Sequence, residues 1–359
     1  MYTTSRRIKT DIFLAIIFLI YIILLSTNNH FLPENFDFDA RTIRLLINGQ
    51  SDLDYGTGFR NTALIYSALG AERVFPEWLI ILIANVVYWL VAIKVLGKST
   101  FHRQNFFKII FCLGWIFCSA LYLSRYSKEL LSLVPIFLIC FTRMETHLQK
   151  VSVLLIVLAY VIFIRQYWAL ILAFYFAFHY LFFRVNASIP IKLITLAFIF
   201  FSPFWIVSIL EPQYLTDWRV ISNLDSSDPH YAKSAIVNLF TNTGPFTDYA
   251  NALYAWLYLN IPIKLFIDEA IHHKAFALFQ FGSVAILIAT IYSEFKFHHE
   301  RQMADDPFYS RCLSFILAYS LTQAIFEPDV GTFMRHQIIL AVPLMYVVIS
   351  RQKQAVLTV

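Results

Sequence analysis

Apolar runs near residues 11-26, 78-97, 106-123, 130-142, 151-164, 167-183, 191-209, 275-293, 312-326 and 337-350 recur along the chain. A helix needs roughly 20 predominantly apolar residues to cross the hydrocarbon of a bilayer, and about 17 can suffice. A chain built of such runs is expected to be all-α and polytopic, with about ten transmembrane helices, because a helix satisfies its own backbone groups in lipid. The runs at 130-142 and 151-164 are short. They either extend into their polar flanks or sit where the bilayer is locally thin. The first run lacks a small-residue cleavage site and continues into Ser26, Thr27 and Asn28, so it reads as a retained helix rather than a signal.

Composition supports the same solvent. Of the 359 residues, 59% are hydrophobic and only 14% are charged, against about 45–50% and about 25% in soluble domains. Too little polar surface exists to cover a folded chain in water, which argues against a soluble enzyme, a disordered protein and a nucleic-acid reader. The net charge of +5 then reflects basic cytoplasmic loops rather than a nucleic-acid partner. Cys112, Cys118, Cys140 and Cys312 lie within or beside apolar runs and read as small hydrophobes.

Basic residues set the orientation. Arg6, Arg7 and Lys9 precede the first run, and Arg351 and Lys353 follow the last. Ten spans place both termini in the cytoplasm. A single transmembrane domain, 1-359, then carries two long extracytoplasmic loops, 28-77 and 210-274. Inner loops are short and basic and hold no glycine-rich phosphate loop, so chemistry is expected on the outer face. Within the second loop, 252-267 is apolar yet carries Pro262 and Lys264, and is expected to be an interfacial or re-entrant helix rather than an eleventh span. Trp78, Trp168 and Trp218 at run ends fit interfacial belts.

Four clusters on the outer face carry polar chemistry. In Glu34-Asn35-Phe36-Asp37-Phe38-Asp39, Asp37 and Asp39 point the same way only if the strand is extended; on a helix they splay about 200° apart. One carboxylate there could act as a general base or hold a divalent cation on a diphosphate. The alternative is an acidic loop or a charge ahead of a helix through 40-46. In the turn Ser124-Arg125-Tyr126-Ser127-Lys128-Glu129, Arg125 and Lys128 are neighbours if the turn is helical, and could clamp a lipid diphosphate or snorkel to headgroups. Arg165, in the near-absent loop Arg165-Gln166-Tyr167-Trp168, is either an anion ligand or half of an ion pair with an outer acid.

The densest cluster is Glu327-Pro328-Asp329-Val330-Gly331-Thr332-Phe333-Met334-Arg335-His336. Pro328 is expected to end the ninth span, and Gly331 to permit a turn with positive φ. Here Glu327, Asp329 and His336 are candidate proton-transfer groups, and Arg335 could neutralise developing phosphate charge; the alternative is an ion-paired turn that caps two helices. Glu211, Asp217, Trp218, Arg219, Asp225, Asp228 and His230 repeat the mix over a longer stretch. His102, His147, His298 and His299 fall in inner loops, and no histidine spacing suggests a metal site.

In architecture, and in the stretch Gly331-Thr332-Phe333-Met334-Arg335-His336, the chain resembles the O-antigen and capsular polysaccharide polymerase (Wzy-like) group. That group falls within the wider GT-C type of polyprenyl-phosphate-sugar-using membrane glycosyltransferases. The stretch looks like the Gly-Thr-x-x-Arg-His pattern of many polysaccharide-assembly proteins. The resemblance implies polymerisation of lipid-linked repeat units of an O-antigen, capsule or exopolysaccharide by glycosyl transfer from undecaprenyl diphosphate, at the outer face of the bacterial inner membrane. Arg125, Arg165, Arg219 and Arg335, with Lys128, would hold the diphosphate, and Asp37 or Asp39 would match the first-loop acid of GT-C enzymes. No cofactor is implied. A chain-length regulator and a flippase would be partners, and nucleic acid would not. Two alternatives share the architecture: a GT-C enzyme adding single sugars, and a flippase or transporter of lipid-linked glycan. A transporter needs ionisable groups near mid-membrane, whereas Lys94 and His179, the basic groups well inside apolar runs, lie toward the inner end.

Overall fold

A computed structural model describes residues 38–50, 56–96, 106–185, 187–211, 213–225, 235–267, 271–297 and 306–349. The first apolar run, Asp37, His102, Asp228, His230, His298, His299, Arg351 and Lys353 lie outside the described residues. Among the described residues every regular element is helical, apart from two isolated bridges.

Polar flanks account for the helix lengths. The run at 130-142 lies on a helix that starts earlier, at Lys128, because Ser127 Oγ accepts from Leu130 N at 3.2 Å. The run at 151-164 starts at His147. There Thr146 Oγ1 accepts from Gln149 N, while Gln149 Oε1 accepts from Thr146 N. Each cap satisfies amide groups that the helix cannot pair itself. The first helix is thereby 14 residues long, still below the usual crossing length, and the second reaches 17.

The chain divides into two compact units, residues 1–166 with 338–359, and residues 167–337. In the first unit, α1 (Phe38–Ile47) packs on α2 (Thr57–Ala68), and α2 packs on α5 (Lys128–Phe141) and α6 (His147–Phe163). Helix α3 (Glu77–Leu96) also meets α5. A Cβ at Gly58 would lie 2.5 Å from the Ile164 carbonyl oxygen, so only glycine lets α2 come this close to the end of α6. The last helix, α15 (Ala341–Ile349), packs on α3 and on α4 (Phe106–Tyr122). It is buried on all sides, as expected for a helix apolar all round.

In the second unit, α7 (Trp168–Phe183) lies along α13 (Pro307–Phe326), with Trp168 against Phe315 and Tyr319. Helix α9 (Asp217–Asp225) also meets α13. Helix α10 (Pro245–Asn260) turns Asp248, Asn251, Ala252, Ala255 and Leu259 inward at helical spacing and packs on α8 (Ile189–Leu210), α12 (Ile271–Phe297) and α13. It stops before Pro262, and a short α11 (Ile263–Ile267) follows. The apolar stretch 252-267 is therefore two helices.

Among the described residues, four helical segments are long and apolar enough to cross a membrane: Glu77–Leu96, Pro190–Leu210, His273–Tyr292 and Val330–Ile349. Shorter apolar helices lie at Phe106–Tyr122, His147–Phe163 and Trp168–Phe183. Their outward residues are apolar too. On α3, Ile83, Val87 and Leu90 are exposed at helical spacing, and on α8 so are Ile191, Ile194, Phe198, Trp205 and Ile209. Monomers in water rarely expose contiguous apolar faces of this kind, and a lipid environment removes their cost.

Candidate functional site

In the second unit the dense cluster forms around a break between two helices. Helix α13 ends at Phe326, and α14 (Val330–Gln337) begins at Val330. The turn is only three residues long. Gly331 lies inside α14, and among the described glycines only Gly49 and Gly70 have positive φ, which corrects the expected Gly331 turn. Its glycine has another use. A Cβ at this position would lie 3.0 Å from Asp329 Oδ1, and that carboxylate caps α14: Oδ1 accepts from Thr332 N at 2.9 Å and Oδ2 from Thr332 Oγ1 at 2.6 Å.

The cap places the end of α14 beside the end of α13. His336 Nδ1 lies 2.6 Å from Glu327 Oε1, and a carboxylate only accepts, so Nδ1 carries the hydrogen. Gln323 Nε2 reaches Glu327 Oε1 at 3.4 Å and the Phe333 carbonyl at 3.2 Å. Tyr319 Oη donates to the His336 carbonyl at 3.2 Å. Glu327 is buried and His336 partly open, with side-chain exposures of 4% and 13%. This is an imidazole held in one tautomer by a buried acid, with Arg335 next to it in sequence on a partly buried turn. Gln323, unremarked in the sequence, is four residues before Glu327 on one helix face, a spacing that could have drawn attention to it.

Arg219 is in the same unit and completely buried. Its Nη1 donates to the Ala324 carbonyl at 2.9 Å and its Nη2 to Asn238 Oδ1. Asn242 joins Asp217 to Thr216, and Asp248 accepts from Leu215 N, Thr216 N and Thr216 Oγ1. Burial pushes the Asp248 carboxyl up, against the pull of the Thr216 and Leu215 bonds. Burial depresses the Arg219 guanidinium to about 10, with Asp248 opposing, so it stays charged at neutral pH. The network ties the second long loop to the end of α13. Asp248, in the first turn after Gly244-Pro245, was missed in the sequence although an acid there is a usual helix-start signal.

The loop also meets the turn directly, since Ile236 N donates to the Pro328 carbonyl at 2.8 Å, in an antiparallel bridge between Ala235 and Asp329.

In the first unit, Asp39 lies in the first turn of α1 and is buried. Residues 123–126 are not helical, so the condition under which Arg125 and Lys128 would be helix neighbours is not met. Arg125 is buried in the bend, while Lys128 opens α5 with its Nζ 3.5 Å from the centre of the Phe59 ring. Glu77 supports the bend, accepting from Tyr126 N at 3.0 Å and from Arg44 at 2.7 Å. Tyr66 Oη donates to the Ser127 carbonyl at 3.0 Å. Arg165 forms a buried ion pair with Glu129.

Among the described residues no three His, Cys, Asp or Glu side chains converge as a metal site would require. All four cysteines are free thiols. Fold and geometry together define a helical protein suited to lipid, with polar clusters at helix ends. Comparison with protein-family models, curated proteins and solved structures finds no match.

Proposed function

We propose that this protein is an integral-membrane glycosyltransferase that polymerises lipid-linked oligosaccharide repeats of a bacterial surface polysaccharide. In this reading it sits in the cytoplasmic membrane with about ten spans and both termini inside. The observation that carries the proposal is the Glu327–His336 pair at the head of the apolar segment Val330–Ile349, with Arg335 the preceding residue of the same helix.

The chemistry needs one base and a place for negative charge. A hydroxyl of the acceptor repeat attacks the anomeric carbon of the donor, and the bond from that carbon to the diphosphate oxygen breaks, with its electron pair leaving on the diphosphate. His336 takes the hydroxyl proton at Nε2, because Nδ1 is engaged by Glu327, which also stabilises the imidazolium that forms. Arg335 offers a guanidinium fork to the departing diphosphate. Asp329 serves as helix cap and Glu327 as orienting acid, so His336 is the base. Arg219 has its donors directed into the loop network and positions the turn.

A second reading has its own support: the buried Asp39, in a helix first turn of the other unit, fits the first-loop acid of a single-sugar GT-C enzyme.

The test is complementation of a deletion strain, scored by the length distribution of its surface glycan. His336→Ala and Arg335→Ala are expected to be made at normal levels and to leave single-repeat material. Glu327→Gln should slow elongation by about 10²–10⁴-fold, the usual worth of positioned proton transfer. Long-chain glycan of normal abundance in His336→Ala overturns the assignment. Loss with Asp39→Asn alone would favour the single-sugar reading.

A further inference from the structure

In the second unit, the loop ahead of α10 sorts its side chains the wrong way round for water. Asn238 accepts from Arg219 and donates to Thr216, and Asn242 donates to Thr216 and Asp217, so both amides turn inward. Val237, Leu239 and Phe240 are exposed, Leu239 by 57%. A loop in water shows its amides and hides its aliphatic groups. The backbone is served from within as well. Completely buried Asn251 accepts from Phe240 N and donates to the Phe240 carbonyl, both at 2.9 Å, while Thr247 Oγ1 accepts from Thr243 N at 3.0 Å and Gly244 N at 3.2 Å. Backbone groups need such partners where water does not supply them.

Packing on α8 gives the depth. Phe246, in the first turn of α10 and 69% exposed, stacks on Phe201 with ring centres 4.9 Å apart. One turn on, Tyr249 packs edge-on against Phe201 and Phe204. Phe201 is about 13 Å of helix rise short of Leu210, the end of α8. The start of α10 is therefore level with the interior of the apolar segment Pro190–Leu210, whose Phe198, Trp205 and Ile206 are also exposed. Through the Phe201–Phe246 stack the apolar surface of α8 continues onto the loop.

We propose that residues 237–246 are a membrane-immersed loop: Val237, Leu239 and Phe240 enter the boundary between headgroups and acyl chains, and Phe246 meets the chains themselves. A bilayer fits this surface better than a protein does. Protein interfaces carry about one hydrogen bond per 100–200 Å², whereas here the asparagines are turned inward and the outward side chains are mainly carbon. Fluid chains ask only for apolar surface over a paired backbone. Trp218, next to Asp217 of the same network, is exposed and supplies an indole of the kind enriched at that boundary. Because Ile236 N donates to the Pro328 carbonyl, immersion also sets the height of the turn between α13 and α14. The proposal does not rest on the glycosyl-transfer reading and uses no part of the Glu327–His336 pair.

Spin labelling of the full-length protein in vesicles of phosphatidylethanolamine and phosphatidylglycerol tests this. Leu239→Cys, Phe240→Cys and Phe246→Cys each receive a nitroxide at an exposed position, and the unaltered protein treated alike supplies the background from its own thiols. Collisions with oxygen, which concentrates among acyl chains, are compared with collisions with a neutral nickel chelate, which stays in water; nitroxide-bearing lipids calibrate depth. Labels at 239 and 240 are expected about 5–10 Å inside the headgroup boundary, with the label at 246 at least as deep. All three should lose most of their nickel collisions relative to free label in buffer. Nickel collisions at 239 and 240 as frequent as for free label overturn the proposal. Protection from both reagents does so too, since that is the mark of a protein contact. A variant that fails to integrate leaves the other two to decide.

Discussion

Glu129 is enclosed at the start of α5, and its ion pair with Arg165 sets the energetic stakes of the first unit. Two charges removed from water are tolerated because each answers the other; removal of one leaves an uncompensated charge in a poorly polarisable place. Glu129→Ala or Arg165→Ala should therefore cost about 3–5 kcal/mol, measured as a lowered midpoint of thermal unfolding in detergent. The double replacement Glu129→Leu with Arg165→Met should recover much of that loss, since well-packed apolar side chains often replace a buried pair at little cost. A ligand role for Arg165 predicts the opposite pattern: loss of activity in the double variant without loss of stability in the single ones. At this scale the sequence was informative about which groups matter and ambiguous about their use. Arg165 had two readings because a lone charge at the hydrocarbon boundary demands a partner without saying which. Arg219 drew notice by its type alone, and nothing local to it disclosed that Asn238, nineteen residues on, would accept from it. Asp248 was passed over because its partners, Leu215 and Thr216, lie far back in the chain and meet it only through the packing of the second unit.

Helices are where the sequence was most legible. From residue 78 to 326 the described part of each apolar run lies on one helix, since hydrophobic length survives any rearrangement of neighbours, while the run at 337-350 is divided between the end of α14, a 3-10 turn at Ile338–Leu340 and α15. Their ends were less legible. Whether a Ser, Thr or Asp caps a helix depends on a few backbone angles, so the start at His147 and the short turn before Val330 emerge only from the geometry of Thr146 and Asp329. Gly331 shows the limit best: glycine suggested a positive φ, whereas its service is to leave room for the Asp329 carboxylate. Gly58 makes the same point in a testable form. A methyl group there would press on the Ile164 carbonyl at the end of α6, and a backbone atom cannot swing aside as a side chain can. Gly58→Ala should cost about 1–3 kcal/mol and increase protease cleavage within α2 relative to the unaltered protein. Unchanged stability and cleavage would mean that α2 is not held against α6 in solution.

For the molecule as a whole, the decisive variable is the solvent. Exposed Leu, Ile and Phe on α3 and α8 would be a liability in water and are at ease in hydrocarbon. Phe198 separates the two cases because it is 68% exposed in the middle of α8. In a bilayer, Phe198→Asp should cost about 2.5–3.5 kcal/mol of insertion, read as a reduced membrane-integrated fraction, while Phe198→Leu should match the unaltered protein. In water the aspartate would be neutral or helpful, so an undiminished integrated fraction would refute the lipid-facing placement. The wide apolar surface of α8 carries one more consequence, which concerns heredity rather than energy. A helix that meets chiefly fluid chains is selected for an average property and not for particular shapes, so Leu, Ile, Val and Phe can exchange along it with little penalty. Such a segment loses the trace of its ancestry quickly, and lineage would persist longest in the few places where atoms must meet at fixed distances: the caps, the Gly58 contact and the Glu327–His336 pair.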